Sequence, residues 1–448
     1  MTNIPLIRAY NDNAVFAYRD RRPIGVDRFL RDVEQLAARL PDRRYILNLC
    51  ADRYHFVVGF FAALLKWQVS LLPPNRTPDL IGQLKLRYSD VYCLTDAANG
   101  YQALETVFYP ALSGPVPAVP AVPSIPHIPA EQIAAILFTS GSTGQPVANE
   151  KSWGALVRSA EAELHRLRMH AYPGMAVLGT VPPQHMYGLE STVLMVMQGG
   201  LALHAGRPFY PAEILAELAA LPRPRCLVTT PIHLRALLAE TASLPQLDFL
   251  LCATAPLSPQ LASAAESRFA APLYEIYGCT EAGQVATRRT VETMEWRALP
   301  GVELRQDQHG TWVSGGHVET KVLLHDVIEL RNHTQFLLHG RTADLVNIAG
   351  KRTSLASLNY HLNSITGVRD GVFVMPDQAD EAVTRLTAFV VAPGLTSETV
   401  MDALRQRIDA AFLPRPLCLV ESLPRNDTGK LPREALCRLV TERAANAG

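Results

Sequence analysis

The sequence has no excess of charge. Lys plus Arg and Asp plus Glu number 42 each, so there is no basic field for nucleic acid and no acidic tail. It has no cysteine pairing pattern. Cys50, Cys93, Cys226, Cys252, Cys279, Cys418 and Cys437 are scattered, odd in number and without a C-x-x-C spacing. This argues against a disulfide framework or a zinc site and points to a reducing, cytoplasmic setting. The opening "MTNIPLIRAYND" lacks the basic and apolar blocks of a signal peptide. The longest apolar run, "FVVGFFAALL", is too short to span a bilayer. No G-x-x-x-x-G-K-[ST] and no G-x-S-x-G occur, which disfavours a Walker-type NTPase and an α/β-hydrolase. No repeat of solenoid period is present.

What is present is a long α/β pattern. At 448 residues the chain exceeds one ordinary domain. From Arg44 to Pro73 it reads strand, helix, strand: "YILNLC", "YHFVVGFFAALLKW", "VSLLP". From Ala134 to Gly278, strand-like "AAILFT", "AVLGTV", "LALHAG", "CLVTT" and "LDFLLCATA" alternate with helical stretches. Such alternation predicts parallel sheets covered on both faces. The proline-dense "YPALSGPVPAVPAVPSIPHIPAEQ" between these blocks reads as an extended surface connection. After about Gln284 short strands follow: "VELRQ", "TWVSG", "TKVLLHDVIEL", "FLLHGR". A compact tail then offers strands "GVFVMP" and "LTAFVVAP" and a helix "SETVMDALRQRIDAAF". Val400, Leu404, Ile408 and Phe412 form an apolar stripe on that helix, read as core packing. The expectation is an α/β protein. A large N-terminal domain of stacked α/β sheets plus a short β region occupies residues 1–341, and a small α+β domain occupies 342–448.

Four stretches carry chemistry. "FTSGSTGQPVAN" places Thr139, Ser140, Gly141, Ser142, Thr143 and Gly144 after an apolar strand. A plain loop and an anion cradle, in which glycines turn N–H groups inward and hydroxyls add donors, are both consistent with that composition. "YEIYGCTEAG" sets Tyr277, Gly278, Thr280 and Glu281 at a strand end. A carboxylate there suits Mg²⁺, which prefers oxygen ligands and takes few from protein. "LLHDVIELRNHTQFLLHGRTADLVNIAGKR" contains Asp326, suited to accept from two ribose hydroxyls, and Arg341, suited to an oxyanion. "PRNDTGKLPREAL" turns at Asn-Asp-Thr-Gly and presents Lys430, a compact charge on a flexible stem.

In this order the four stretches resemble the adenylate-forming superfamily of acyl- and aryl-CoA synthetases, peptide-synthetase adenylation domains and luciferases. The resemblance runs from about Arg44 to the C-terminus. It implies ATP and Mg²⁺ as cofactors, with "TSGSTGQP" as the phosphate loop. It makes Thr280 the phosphate-contacting hydroxyl and Glu281 the metal ligand. Tyr277 and Gly278 then lie beside the nucleotide, with Asp326 at the ribose and Arg341 next to it. Asp344 becomes the hinge of a mobile small domain that carries Lys430, the catalytic lysine. "PPQHMYGLES" resembles the stretch lining the acid pocket, which gives His185, a catalytic candidate, together with Tyr187 and Gly188. "CATAPLS" resembles the loop that walls the acid and contacts adenine, which gives Ala253, Thr254 and Ala255.

One departure stands out. The family loop usually has a lysine directly after the proline matching Pro146. Here Val147 follows, and the next lysine is Lys151. Either backbone donors and hydroxyls suffice, or Lys151 reaches back. "NLCADRYHF", "LLPPN" and "DLVNIAGKRTSL" look most like ligases of aryl-polyene and xanthomonadin-type pigment pathways. The resemblance implies a hydroxybenzoate-like acid substrate and a separate holo acyl carrier protein as acceptor. Alternatives are an aryl- or medium-chain acyl-CoA ligase and a non-catalytic nucleotide-binding relative.

Overall fold

A computed structural model describes residues 2–8, 10, 14–98, 104–109, 124–140, 146–241, 243–341, 345–348, 351–375, 386–426, 431–432, 435–436 and 438–439, without the side chains of Ser140, Arg341, Leu345, Asn347, Lys351 and Arg352. The centre is the helix Arg53–Leu65, "RYHFVVGFFAALL". It starts at Asp52, whose carboxylate accepts from the His55 N–H at 3.0 Å. It is apolar on every side, and all residues from Arg53 to Leu64 are buried. A helix without a polar face has to be covered all round.

Two sheets provide the cover. The six-stranded sheet runs in the order Pro146–Ser152, Ile133–Ser140, Val69–Leu72, Tyr45–Asn48, Val91–Thr95, Thr106–Phe108. It is parallel except for its first hairpin. The eleven-stranded sheet has a parallel centre. Leu273–Cys279, Phe249–Cys252, Arg225–Thr229, Ala176–Gly179, Ala202–His204 and Val15–Arg19 lie side by side. The helix packs on Tyr45–Asn48 and Val69–Leu72 of one sheet and on Ala202–His204 of the other. Gly59 allows the close approach: a Cβ there would lie 2.4 Å from Leu94 Cδ2. Arg53, fully buried, donates to the Gly179 and Val181 carbonyls at 2.8 and 3.0 Å and to Thr192. Burial pulls its pKa down to about 9.

The strands of the alternating segments pair parallel, as their pattern predicts, apart from the hairpin Ile133–Ser152, and the short strands that follow make the large sheet mixed. Gly283–Arg288, Trp296–Ala298, Gln335–Arg341 and Asp326–Asn332 extend the large sheet antiparallel, and Arg22–Gly25 closes its other edge. Short connections such as Asn332 to Gln335 permit only hairpin pairing. The run "TKVLLHDVIEL" divides into Val318–Leu324 and Asp326–Asn332. Its first half pairs with Gly310–Gly315 in a separate three-stranded sheet. Asp326 therefore opens a strand.

The C-terminal region has its own core. Val346, Leu358, Leu362, Phe373, Val390, Val400 and Leu404 are buried together, around the three-stranded sheet Asp370–Val374, Thr387–Val391, Leu417–Leu419. Its predicted long helix ends at Arg405. Asp409 then caps a separate short turn, Ala410–Phe412, by accepting from the Ala411 N–H at 3.0 Å. The stripe is still core: Val400, Leu404 and Phe412 are buried, and Ile408 packs partly against them. The proline-dense connection falls mostly outside the described residues.

Phe61 is fully buried, with its ring edge-on to Phe29 at 6.2 Å and to Trp153 at 5.7 Å. Phe61→Ala is expected to cost about 3–5 kcal/mol in urea unfolding. A loss well under 1 kcal/mol would contradict tight packing between the sheets.

Candidate nucleotide and acid site

The hairpin Ile133–Ser140 and Pro146–Ser152 carries the candidate phosphate loop at its tip. Ser140 pairs with Pro146 and Thr139 with Val147. Thr139 is half-buried and Val147 is 51% exposed. At the other end the register shifts between Lys151 and Ser152. Such a bulge breaks the alternation of faces, and Lys151, Ser152 and Trp153 are buried in succession. The Ser152 hydroxyl accepts from the Ala155 N–H and so caps the helix Trp153–Arg166. It also donates to Glu319 at 2.6 Å.

Thr280, Glu281 and Ala282 turn between the strands Leu273–Cys279 and Gly283–Arg288. The turn is tight. Gly283 has φ +78°, and a Cβ on Gly278 would lie 2.4 Å from the Gly283 carbonyl oxygen. Thr280 is half-buried and Glu281 is exposed. Lys151 Nζ donates to the Glu281 carbonyl at 2.6 Å. Burial lowers the Lys151 pKa, opposed by the nearby Glu190, Cys279, Glu281 and Glu319. Burial pushes the Cys279 thiol up to about 12, and the adjacent Glu281 carboxylate adds to this.

Tyr277 precedes that turn, and its hydroxyl donates to Asp326 Oδ2 at 2.6 Å. Asp326 stands opposite Arg341 in the sheet register. Residues far apart in sequence are thus brought to one sheet end. Glu275, two residues before Tyr277, is buried against Arg288 at 2.6 Å and accepts from the Leu257 N–H at 3.2 Å. This fixes the loop that holds Ala253, Thr254 and Ala255 beside the same strand. Ala253 is buried, and Thr254 has φ +81°. A β-branched residue in that region carries roughly 1–3 kcal/mol of strain.

His185 precedes the short helix Met186–Leu189. Tyr187 is buried and donates to the Thr229 carbonyl at 3.2 Å. Gly188 admits no side chain, since a Cβ would lie 1.9 Å from the Pro182 carbonyl oxygen. The helix then widens into a π-helical turn, Glu190–Leu194, a feature frequent at functional sites. Sequence reasoning missed two groups here. Thr180, Thr229, Thr230 and His233 form a buried cluster at the carboxyl ends of Ala176–Gly179 and Arg225–Thr229, with the His233 Nδ1 3.0 Å from Thr230 Oγ1. Burial and Arg207 lower the His233 pKa to about 4. The signal was "TTPIH" directly after a strand. The second group is the acid pair beneath the Glu281 turn. Glu190 accepts from Ser159 Oγ at 2.6 Å and from the Gln284 N–H at 3.2 Å. Glu163 accepts from Ser191 Oγ at 2.7 Å. Burial raises Glu163 to about 8 and Glu190 to about 7. Nothing in the local sequence signals this pair, because tertiary packing assembles it.

Gly141, Ser142, Thr143, Gly144, Asp344 and Lys430 lie outside the described residues. The segment leading to Lys430 is anchored at Arg425, which donates to both Asp370 oxygens at 2.7 and 2.8 Å. Asp370 also lies 3.6 Å from Arg235, on the helix Pro231–Ala239.

With this geometry in view, comparison with known proteins defines the class. The family model "AMP-binding enzyme" matches residues 33–323. The chain belongs to that family, and within it is an AMP-forming acid–thiol ligase. It is 26% identical over 325 residues to a 4-coumarate–CoA ligase of Rhodobacter capsulatus, spanning 72% of this chain and 80% of that protein. It is 23% identical over 358 residues to a 3-hydroxybenzoate–CoA/4-hydroxybenzoate–CoA ligase of Thauera aromatica, spanning 68% and 66%. Its fold matches the o-succinylbenzoate CoA synthetase of Bacillus subtilis in complex with its acyl-adenylate, at TM-score 0.81 and 18% identity over 97% of this chain and 98% of that one.

Enzymes of this family use ATP with Mg²⁺. The donor set here fits that pair. An exposed carboxylate at Glu281, hydroxyls at Thr139 and Thr280 and the carboxylate of Asp326 are all hard oxygen donors. Among the described residues no cluster of three or more His, Cys, Asp or Glu could hold a metal alone. No helix among the described residues is long and apolar enough to cross a membrane.

The buried acid pair yields a pH prediction. Glu163 keeps its proton in the folded state up to about pH 8, against an ordinary value of 4.5. Its contribution to stability is therefore complete below the unfolded pKa and is lost as pH rises through the folded one. Glu163→Gln, neutral throughout, is expected to lose less Tm than the native protein between about pH 6 and pH 9. Parallel curves would show that Glu163 is not protonated in the fold.

Proposed function

We propose that the protein activates an aromatic, hydroxybenzoate-like acid with ATP and transfers it to the phosphopantetheine thiol of a separate acyl carrier protein, in the cytoplasm and in a pigment pathway of the aryl-polyene or xanthomonadin kind. The observation that carries the adenylation half is the meeting of Tyr277, Asp326 and the Thr280–Glu281 turn at one sheet end. The 4-coumarate and hydroxybenzoate ligases among its relatives support an aromatic acid. The resemblance of "NLCADRYHF" and "DLVNIAGKRTSL" to the pigment-pathway ligases supports the carrier protein.

In the first step a carboxylate oxygen attacks the α-phosphorus of ATP, and the bond to pyrophosphate breaks. Positioning and charge neutralisation account for most of the rate. The hydroxyls from Thr139 to Thr143 and the N–H groups of Gly141 and Gly144 hold the departing phosphates, with Thr280 beside them. Asp326 accepts from the ribose, oriented by Tyr277, with Arg341 alongside. Glu281 would hold Mg²⁺, which neutralises phosphate charge. Ala253, Thr254, Ala255, Tyr187 and Gly188 wall the acid. Lys430 brings a positive charge to the forming acyl–phosphate bond. Water is excluded, because the acyl-adenylate is a mixed anhydride. In the second step residues 342–448 turn about Asp344 and withdraw Lys430. The thiol, entering near His185, loses its proton and attacks the acyl carbon, and AMP leaves. The separate C-terminal core supports this division into two bodies.

A second reading keeps the first step and takes CoA as the thiol. It is favoured by the CoA ligases among the curated relatives.

ATP–pyrophosphate exchange with Mg²⁺ over hydroxybenzoates, other aryl acids and fatty acids tests the first step. Exchange with an aromatic acid is expected, falling roughly a hundredfold or more in Lys430→Ala. Exchange with no acid despite ATP binding would favour a non-catalytic nucleotide binder. Thioester formation with holo-carrier protein but not with CoA is expected, and the reverse establishes the second reading.

A further inference from the structure

The hairpin lacks a lysine beside Pro146, yet it retains one within the same strand, almost wholly buried. Lys151 is 9% exposed and Val147 is 51% exposed. Burying an ammonium is costly unless it gains a strong partner. Its partner is the main-chain carbonyl of Glu281, at 2.6 Å, on the far side of the chain's sequence. Four strand residues lie between Pro146 and Lys151, which are about 17 Å apart along extended chain. That is well beyond the reach of a four-carbon stem, so Lys151 does not return to the position beside Pro146. It acts on the turn that presents the Glu281 carboxylate.

We propose that Lys151 is a positioning residue that sets the Glu281 carboxylate for the magnesium nucleotide and couples that carboxylate to the phosphate-loop hairpin. Three features of the site support this. The bulge between Lys151 and Ser152 directs both side chains inward. Its neighbour Ser152 is fixed by bonds to the Ala155 N–H and Glu319, so the lysine projects from a rigid base. Glu190, beneath the turn, bonds the Gln284 N–H on its far strand. The turn is thereby held by a cation at its apex and by a carboxyl group on one arm. The strand Pro146–Ser152 and the turn that presents Glu281 then share one mechanical element.

The inference rests on the role proposed above for Glu281, but its test needs no acid and no turnover. ATP binding is measured by isothermal titration calorimetry with Mg²⁺ and with EDTA, on native protein and on Lys151→Met. The expected result is metal-free ATP affinity within about twofold of native, with the gain from Mg²⁺ reduced roughly tenfold, as for the loss of a group that orients a metal ligand. Adding Lys151→Met to Glu281→Gln is expected to produce no further loss of that gain, since both act through one carboxylate. Lys151→Gln, which keeps a donor, is the second variant should Lys151→Met not fold, and is expected to restore part of the gain. A folded Lys151 variant with the native response to Mg²⁺ would overturn the proposal, as would additive losses in the double variant. Absence of acid-dependent exchange alongside a Mg²⁺ gain that depends on Lys151 would overturn the ligase reading and leave this one standing.

Discussion

A helix with no wet face is the constraint on which the rest of the structure depends. "RYHFVVGFFAALL" offers water no side, so it needs a sheet above and a sheet below. The two sheets then share one apolar layer, in which Phe29, Phe56, Phe60, Phe61 and Trp153 are fully enclosed. Arg53 enters this layer at the helix start. It is tolerated because its guanidinium finds the carbonyls at the end of the strand Ala176–Gly179. The hydroxyl cluster of Thr180, Thr229 and Thr230 follows directly on those strand ends. The polar end of the site and the apolar centre of the fold are thus adjacent parts of one arrangement.

Much of this could be read in the sequence. The βαβ unit around Tyr45–Leu72, the alternation from Ala134 to Gly278 and the family membership all follow from local patterns that survive folding. The resemblance put Tyr277 and Asp326 each at the nucleotide, and their bond to one another is a finding of the structure. Neither residue signals the other across so long a separation. Other features had no local signal. The Glu163 and Glu190 pair looks like two ordinary helix carboxylates in sequence, and its burial depends on a π-helical turn and on the strand that carries Gln284. The φ of +81° at Thr254 could not be anticipated, because propensity argues against it there.

The differences from expectation have simple causes. Periodicity reports which residues face a core, and it does not report whether the backbone between them is continuous. Val400, Leu404, Ile408 and Phe412 do share a core, yet Asp409 offers its carboxylate to a new turn and the helix stops short. In "TKVLLHDVIEL" a continuous β-prone run passes from one sheet to another at His325. The break matters for the site, since it leaves Asp326 at the head of a strand, bonded to Tyr277.

The three charges at Asp370 bear on how the two bodies could come apart. The carboxylate is shared by Arg425 of its own body and Arg235 of the other, and it is mostly enclosed. An ordinary buried pair split by motion leaves each charge bare, and that penalty would lock the bodies together. In the motion proposed above, separation would remove only one of two cations, and Arg425 would keep Asp370 neutralised. The charge left without its partner would be Arg235, on the helix Pro231–Ala239. An arrangement of this kind is a detachable join: firm enough to define one pose, with its negative half never exposed alone. The vacated guanidinium would then offer a single positive point beside the place from which the other body had moved.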